Sequence, residues 1–320
     1  MVPTVLVGTV EDNSLSSSLL GVLAGMRMIY RHRRKLGRWP NVLQPRTYNE
    51  RIIHRALFDR DPALRQMSDK IEVKRLVTER VGERYAVPLL GRWSDPLQVD
   101  FDRLGPSYVL KPNAQSGPYA MVLDSATADR AALLTSMRSW LAAPGLRKTL
   151  RRQWGYFGIA PLIIAEPLLR GPDGGPAPEL DVFVFRGKAQ LFRHLHGRKL
   201  TPERRNAWFD RNGRQLAIAT RKLRNETPVL ARGLIEEAAD LAERVSEGSA
   251  HLRVDFYATA DGLRIGELTP YTHGGRVDWV PRSLDLQLGR WWVEPADPET
   301  IPDFDPGPPS AAESRSGPSS

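Results

Sequence analysis

Apolar positions recur at helical spacing over residues 15–36 and stop at Gly37, which predicts a first long helix. Residues 1 to about 14 show no such period and read as an arm. A turn-rich connector follows, from Trp39-Pro40-Asn41 to Gln44-Pro45. Thr47-Tyr48-Asn49-Glu50 then opens a second helix, with Thr47 as N-cap and Glu50 placed to complete a capping box. That helix runs to Phe58, where Asp59-Arg60-Asp61-Pro62 breaks it. Ile71, Val73, Leu76, Val77 and Val81 repeat the helical period until Gly82 closes it.

From residues 85–90 onward the pattern becomes strand alternating with helix. Strands are predicted over 107–112 and 119–123, around the small-residue loop 113–118. A helix over 126–142 and a strongly apolar strand over 161–166 come next. The glycine- and proline-rich loop 171–178 leads into strands 180–185 and 189–194, joined at Arg186-Gly187. Residues 199–225 are polar and aperiodic, and 230–245 form an amphipathic helix. From Asp297 onward proline, serine, glycine and acids dominate, which predicts a disordered tail. No segment repeats.

The stretch after the last helix carries the sharpest chemical signal. Residues 251–257 and 264–269 read as a hairpin turning at Asp261-Gly262. Asp255 lies between Val254 and Phe256, and Glu267 lies near Ile265 and Leu268. A carboxylate among apolar neighbours loses hydration and must regain it from a partner. Two of them across one hairpin suit a divalent oxygen-ligand site of the kind that holds Mg²⁺ against nucleotide phosphates. The plainer alternative is a structural cluster tied to Arg253 and Arg264.

Composition narrows the field. With 320 residues and 41% hydrophobic content the chain can bury a sizeable core, in one domain or several fused lobes. The absence of cysteine excludes disulfides, thiolate metal sites and a cysteine nucleophile, and fits a reducing, cytoplasmic setting. The formal charge of +9 is spread along the chain, densest only over Arg31-His32-Arg33-Arg34-Lys35, which argues against nucleic acid as partner. The apolar run 15–30 is too short and too interrupted to span a membrane. A peripheral, amphipathic contact at the inner membrane face stays open beside the plainer reading of a helix packed on the core.

Lys111 ends a strand and faces the small-residue loop, so a cation stands beside backbone N–H groups that can wrap phosphates. The loop lacks P-loop spacing. Glu166 ends the apolar strand that follows. Lysine and loop, then a strand-end acid, then paired acids is an order that resembles the ATP-grasp superfamily, in which two α+β lobes clamp ATP.

More closely, the chain resembles its TupA-like branch, named for a protein of teichuronopeptide synthesis. The matching blocks begin with residues 45–52, Ser68-Asp69-Lys70, residues 108–113 with Ser116-Gly117, and Trp154-Gly155-Tyr156. They continue through Ala165-Glu166, residues 183–188, residues 252–257 and Gly266-Glu267-Leu268-Thr269. The match runs in register from about Arg31 to Trp292.

The resemblance implies an α+β ATP-grasp fold preceded by a helical region, with ATP and Mg²⁺ as cofactors. It implies that Lys70 and Lys111 contact phosphates, that Ser116 and Gly117 belong to the closing loop, and that Glu166 sits at the adenine and ribose hinge. Glu179 would be a second ribose-side acid, Arg253 would stabilise the anionic intermediate, and Asp255, Glu267 and Thr269 would bind the metal. The corresponding divisions are an arm and first helix over 1–40, a helical region over 41–105, lobes over 106–165 and 166–296, and the tail 297–320.

Two departures stand out. Asp181 replaces a lysine usual in the branch, a charge reversal that would weaken phosphate binding unless a nearby arginine such as Arg193 compensates. The loop reads Asn113-Ala114-Gln115 where a histidine and glycine usually precede the serine.

The function implied is an ATP-dependent carboxylate–amine ligase acting through an acyl phosphate, joining an amino acid or peptide to a carboxylate acceptor in surface-glycan synthesis. Phosphoryl transfer to a hydroxyl on the same fold, and a degenerate nucleotide-binding protein without turnover, are the competing readings. His194 and His196 are expected on a solvated sheet face, His273 in a loop beside the acceptor, and Trp291-Trp292 in the core or as a lid.

Overall fold

The computed structural model describes residues 14–142, 153–197, 204–220, 224–225 and 232–294, so most of the expected arm and the whole tail lie outside the described residues. The N-terminal part is helical: α1 (Ser14–Leu36), α2 (Tyr48–Phe58), α3 (Pro62–Ser68) and α4 (Lys70–Val81). Thr47 and Glu50 close the capping box at the start of α2. The Glu50 carboxylate also accepts from the backbone N–H groups of Asn41 and Arg46, which pins the preceding connector. The short helix α3 was not foreseen. Asp61 caps it and Pro62 starts it, so the proline that ends one helix begins another.

A small four-stranded antiparallel sheet follows, from β1 (Gly91–Trp93), β2 (Tyr108–Pro112), β3 (Ala120–Val122) and β4 (Ile163–Pro167), in the order β1-β4-β2-β3. Helix α5 (Arg130–Leu141) packs on it, starting later than predicted because Asp129 caps it and a 3₁₀ turn occupies 125–127. Tyr108, Leu110, Val122, Met137, Ile163 and Ala165 form the core of this lobe.

The larger sheet is built from β5 (Glu179–Phe185), β6 (Lys188–His196), β7 (Arg205–Asp210), β8 (Gln215–Leu216), β10 (Arg224–Asn225), β11 (His251–Thr259) and β12 (Gly262–Thr269). Strand β9 (Ala219–Thr220) pairs instead with β13 (Trp279–Val280). Helix α6 (Arg232–Val245) lies between β10 and β11, and α7 (Ser283–Trp291) closes the described chain. Residues 199–225 therefore hold strands where no period was visible. In β7 five consecutive residues, Asn206 to Asp210, are buried, and a strand covered on both faces does not alternate.

Alternation along the longer strands sorts the large sheet into two faces. Leu180, Val182, Phe192, Leu252, Val254 and Phe256 point one way and pack under α4 and α6. Phe183, Phe185, Leu191 and Trp208 point the other way, against Tyr48 of α2, Trp279 and α7. Trp291 and Trp292 belong to this second core, which settles them as packing residues. His251 is held there by Tyr48 Oη at 3.0 Å and the Val184 carbonyl at 2.8 Å.

Two features of this frame predict measurable effects. Gly289 of α7 lies against the backbone before α2, and a β-carbon there would sit 2.8 Å from the Thr47 carbonyl carbon. Gly289→Ala is expected to cost about 1–3 kcal/mol in chemical denaturation, the cost of overpacking; an unchanged midpoint would show that α7 moves away freely.

The second concerns His194, which is buried and stacked on His196, so the expected solvated face is wrong. His194 is buried and His196, two residues on at the end of β6, is half-buried. Burial, with His196 and Arg204 nearby, pulls His194 down to about 4. The unfolded chain protonates it near the ordinary value of about 6.5, so between these values the unfolded state binds more protons. Stability therefore falls on acidification across that window, by up to about 1.4 kcal/mol per pH unit from this group. Wild type should lose stability more steeply than His194→Gln between those values, and parallel pH profiles would contradict this.

Candidate functional site

The second face of the large sheet is apolar at one end and ionic at the other. At the ionic end four adjacent strands contribute one row of directly paired residues: Glu267 opposite Asp255, Asp255 opposite Asp181, and Asp181 opposite Arg193. The next row places Arg253 opposite Thr269. Three acids side by side would repel, and two arginines hold two of them, Asp255 and Asp181. Arg253 grips Asp255 through both oxygens at 2.6 Å and approaches Asp181 at 3.8 Å. Arg193 binds Asp181 with Nε at 2.9 Å and with Nη2 as well. Thr269 Oγ1 lies 3.2 Å from Asp255 Oδ2.

The electrostatics follow from burial. Burial pushes Asp255 up to about 7, aided by Asp181 and Glu267 and opposed by Arg253. Asp181 has the stronger compensation: Arg193 and then Arg253 outweigh its burial and hold it below the usual range. The charge of Asp181 is thus answered across one strand pair by Arg193. Arg264, by contrast, bonds the Arg84 carbonyl and ties neither acid of the hairpin.

The small sheet and α4 together bring lysines toward this row. Lys111, at the end of β2, bonds Glu166 of β4 at 2.6 Å, and Lys74 of α4 takes its other oxygen at 2.7 Å. Burial disfavours the Glu166 carboxylate, but Lys111 and Lys74 together keep it below its ordinary value. Lys70, also on α4, lies 2.8 Å from the Gln115 carbonyl and 4.0 Å from Glu267. It touches both the loop of the small lobe and the acid row of the large sheet. Burial lowers its pKa, with Glu267 opposing.

Ser116 and Gly117 lie exposed at the tip of that loop, and Gly117 uses a φ of 110° that favours glycine. Asn113 anchors its base: its amide accepts from Leu162 N–H at 2.9 Å and donates to Ala160 and Asp69. Glu179 begins β5 and pairs with Arg204 at 2.6 Å.

Sequence reasoning missed Lys74 and Arg204. Lys74 stands four residues after Lys70, on the same helix face, and that spacing was the available signal. Nothing in the aperiodic run around Arg204 pointed to Glu179.

A divalent cation can be tested against the residues present. Asp255 and Glu267 share one sheet face and one register position, Thr269 adds a hydroxyl, and all three offer hard oxygen. The Glu267 side chain is 34% exposed, so the row opens to solvent at that end. No group of three His, Cys, Asp or Glu converges among the described residues. Mg²⁺ typically takes one or two carboxylates and completes its shell with water and phosphate oxygens, so this donor set fits.

No curated protein matches the chain. Among solved structures, D-alanine–D-alanine ligase from Bacillus anthracis complexed with ATP is 15% identical over 64% of this chain and 55% of that one, with a TM-score of 0.40. This chain thus spans little more than half of that ligase's length. The ATP-grasp ligase PsnB with its minimal precursor is 17% identical over 82% of this chain and 68% of its own, with a TM-score of 0.39. D-cycloserine synthetase DcsG is 15% identical over 72% and 71%, at 0.40. The profile of the TupA-like ATP-grasp proteins matches residues 50–293, from within α2 to just past α7. Most of the chain, including every residue of the lysine cluster and the acid row, lies inside that match, and the protein belongs to the TupA-like ATP-grasp family.

Proposed function

We propose that the protein is an ATP-dependent carboxylate–amine ligase. What supports this most is one arrangement: the Asp255–Glu267–Thr269 oxygens on the large sheet, with Lys70 reaching from Glu267 to the loop that follows Lys111. In this reading ATP lies between the lobes, with Lys70 and Lys111 on its phosphates, Ser116 and Gly117 over them, and Glu166 and Glu179 toward adenine and ribose. Asp255, Glu267 and Thr269 would hold Mg²⁺, which when bound neutralises phosphate charge.

An acceptor carboxylate oxygen attacks the γ-phosphorus and ADP departs, leaving an acyl phosphate. An amine then attacks the acyl carbon, inorganic phosphate leaves, and the amine nitrogen loses a proton. Two anions must meet in the first step, so cations fixed in advance supply the stabilisation. Arg253 is proposed for this role, and the hold of Asp255 and Asp181 on its guanidinium supports it. No side-chain nucleophile is needed.

The acceptor is proposed to be a surface-glycan or lipid-linked acid of the teichuronopeptide type, handled at the cytoplasmic membrane face. Helix α1 supports the location. Val22, Met26 and Tyr30 form an exposed stripe on it, and exposed Arg33, Arg34 and Lys35 follow, a pattern suited to an anionic lipid surface. Among the described residues no helix is long and apolar enough to cross a membrane.

Purified protein with Mg-ATP, uronates and amino acids should release ADP and form an amide. Formation of a phosphate ester would move the reading to hydroxyl phosphorylation, and nucleotide binding without turnover on any pair would refute the ligase.

A further inference from the structure

Arg276 is a half-buried cation with no anion beside it among the described residues. It follows the turn His273-Gly274-Gly275, three consecutive residues with φ of 48°, 58° and 68°. The His32 ring holds the Gly275 carbonyl at 2.8 Å, and a β-carbon on Gly275 would meet the Asn49 carbonyl at 2.5 Å, so the turn is packed in place. Over this turn lie two donors. A β-carbon on Gly274 would sit 3.1 Å from Arg276 Nη1 and 3.3 Å from Gln153 Nε2.

Neither donor meets an acceptor among the described residues. The charged neighbour acting on Arg276 is a second cation, Arg31 of α1, which adds to burial in pulling its pKa down to about 10. The other arginines of the site differ: Arg193, Arg204 and Arg253 each hold a carboxylate. A partly buried cation facing another cation opposes folding unless something neutralises it.

Both donors also stand close to the reaction face. His273 is near enough to Asp181 to help hold it ionised. Gln153 leads into Trp154-Gly155-Tyr156, where Gly155 N–H donates to Tyr271 Oη at 3.1 Å and the Tyr156 phenol feels Glu267 and Asp255. A guanidinium beside an amide N–H is a donor set for carboxylate or phosphate oxygens. We propose that Arg276 and Gln153, over the Gly274 turn, form a subsite for a second anionic group, carboxylate or phosphate, on the substrate that enters past His273. The proposal rests on the ligase reading for its neighbour, and it specifies that the acceptor carries an acid besides the one that reacts.

The test titrates the full chain calorimetrically with glucuronate and, separately, with inorganic phosphate, each with Mg-AMPPNP already saturating. Wild type binds at least one, and the one that binds names the anion. Arg276→Ala weakens that binding roughly ten- to hundredfold, Arg276→Lys retains part of it, and AMPPNP affinity is unchanged in both. Ligand-free Arg276→Ala should also unfold at the wild-type temperature or above, because it loses an uncompensated cation, whereas a structural cation would lower it. Absence of binding by both anions, equal binding by wild type and Arg276→Ala, or a lowered unfolding temperature overturns the subsite. Failure of AMPPNP to bind strikes the ligase reading instead, and the anion comparison is then read without nucleotide.

Discussion

Asp255→Asn should lower Mg-ATP turnover roughly 10²–10³-fold, the scale on which fixed electrostatic groups act at a transition state, while the protein stays folded. The two halves of this expectation have different origins. The activity loss follows from the register, which puts Asp255 beside Glu267 on one face with the Thr269 hydroxyl in reach. Removing one charge from that row weakens the hold on a cation and lets the Arg253 guanidinium wander. The retained fold follows from burial, which already pushes Asp255 up to about 7 and makes its charge a small asset to folding. Arg253 keeps Asp181 as a second acid at 3.8 Å. ADP release and a denaturation curve on the same sample check both halves; wild-type turnover would remove Asp255 from the metal role.

Glu166→Ala should have the largest effect on stability, about 3–5 kcal/mol, because it leaves Lys74 and Lys111 buried without their shared acid. Adding Lys74→Met in the same chain should recover part of that loss, since one stranded cation disappears and its stem keeps its packing. Equilibrium denaturation of both single variants and the double variant gives the coupling. Additive losses would mean that the lysines rehydrate independently, and the buried triad would not be the unit described here.

The elements with strong periods were legible in the sequence, and the acid row shows how far this carried. Asp255 and Glu267 could be placed on one hairpin from their apolar flanks alone. That Asp181 joins the same row could not, because strand order in a sheet is set by long-range pairing and not by local pattern. Asp181 looked like a reversed charge beside a nucleotide. In the fold it is an acid answered by Arg193 one strand over, and twelve residues away in sequence.

Lys74 was overlooked for a related reason: a lysine in the middle of a helix reads as solvated until the partner that buries it is known. Strands β7 to β10 were invisible because burial on both faces, or a length of two residues, leaves no alternation to detect. Chemistry confined to one element survives in sequence, and chemistry assembled from neighbouring elements does not.

Glu166 has a mechanical consequence. Lys111 reaches it from the small lobe, and Lys74 reaches it from a helix whose apolar side, Val73, Leu76 and Val77, is rooted in the core of the large sheet. The Glu166–Lys74 pair is therefore a latch with one half mounted on each body, since Lys111 and Glu166 share the small sheet. A ligand that draws Lys74 away would open the latch in the act of docking, so entry and loosening of the hinge would become one event. Stiffness at rest and compliance during turnover would then be two settings of the same three side chains.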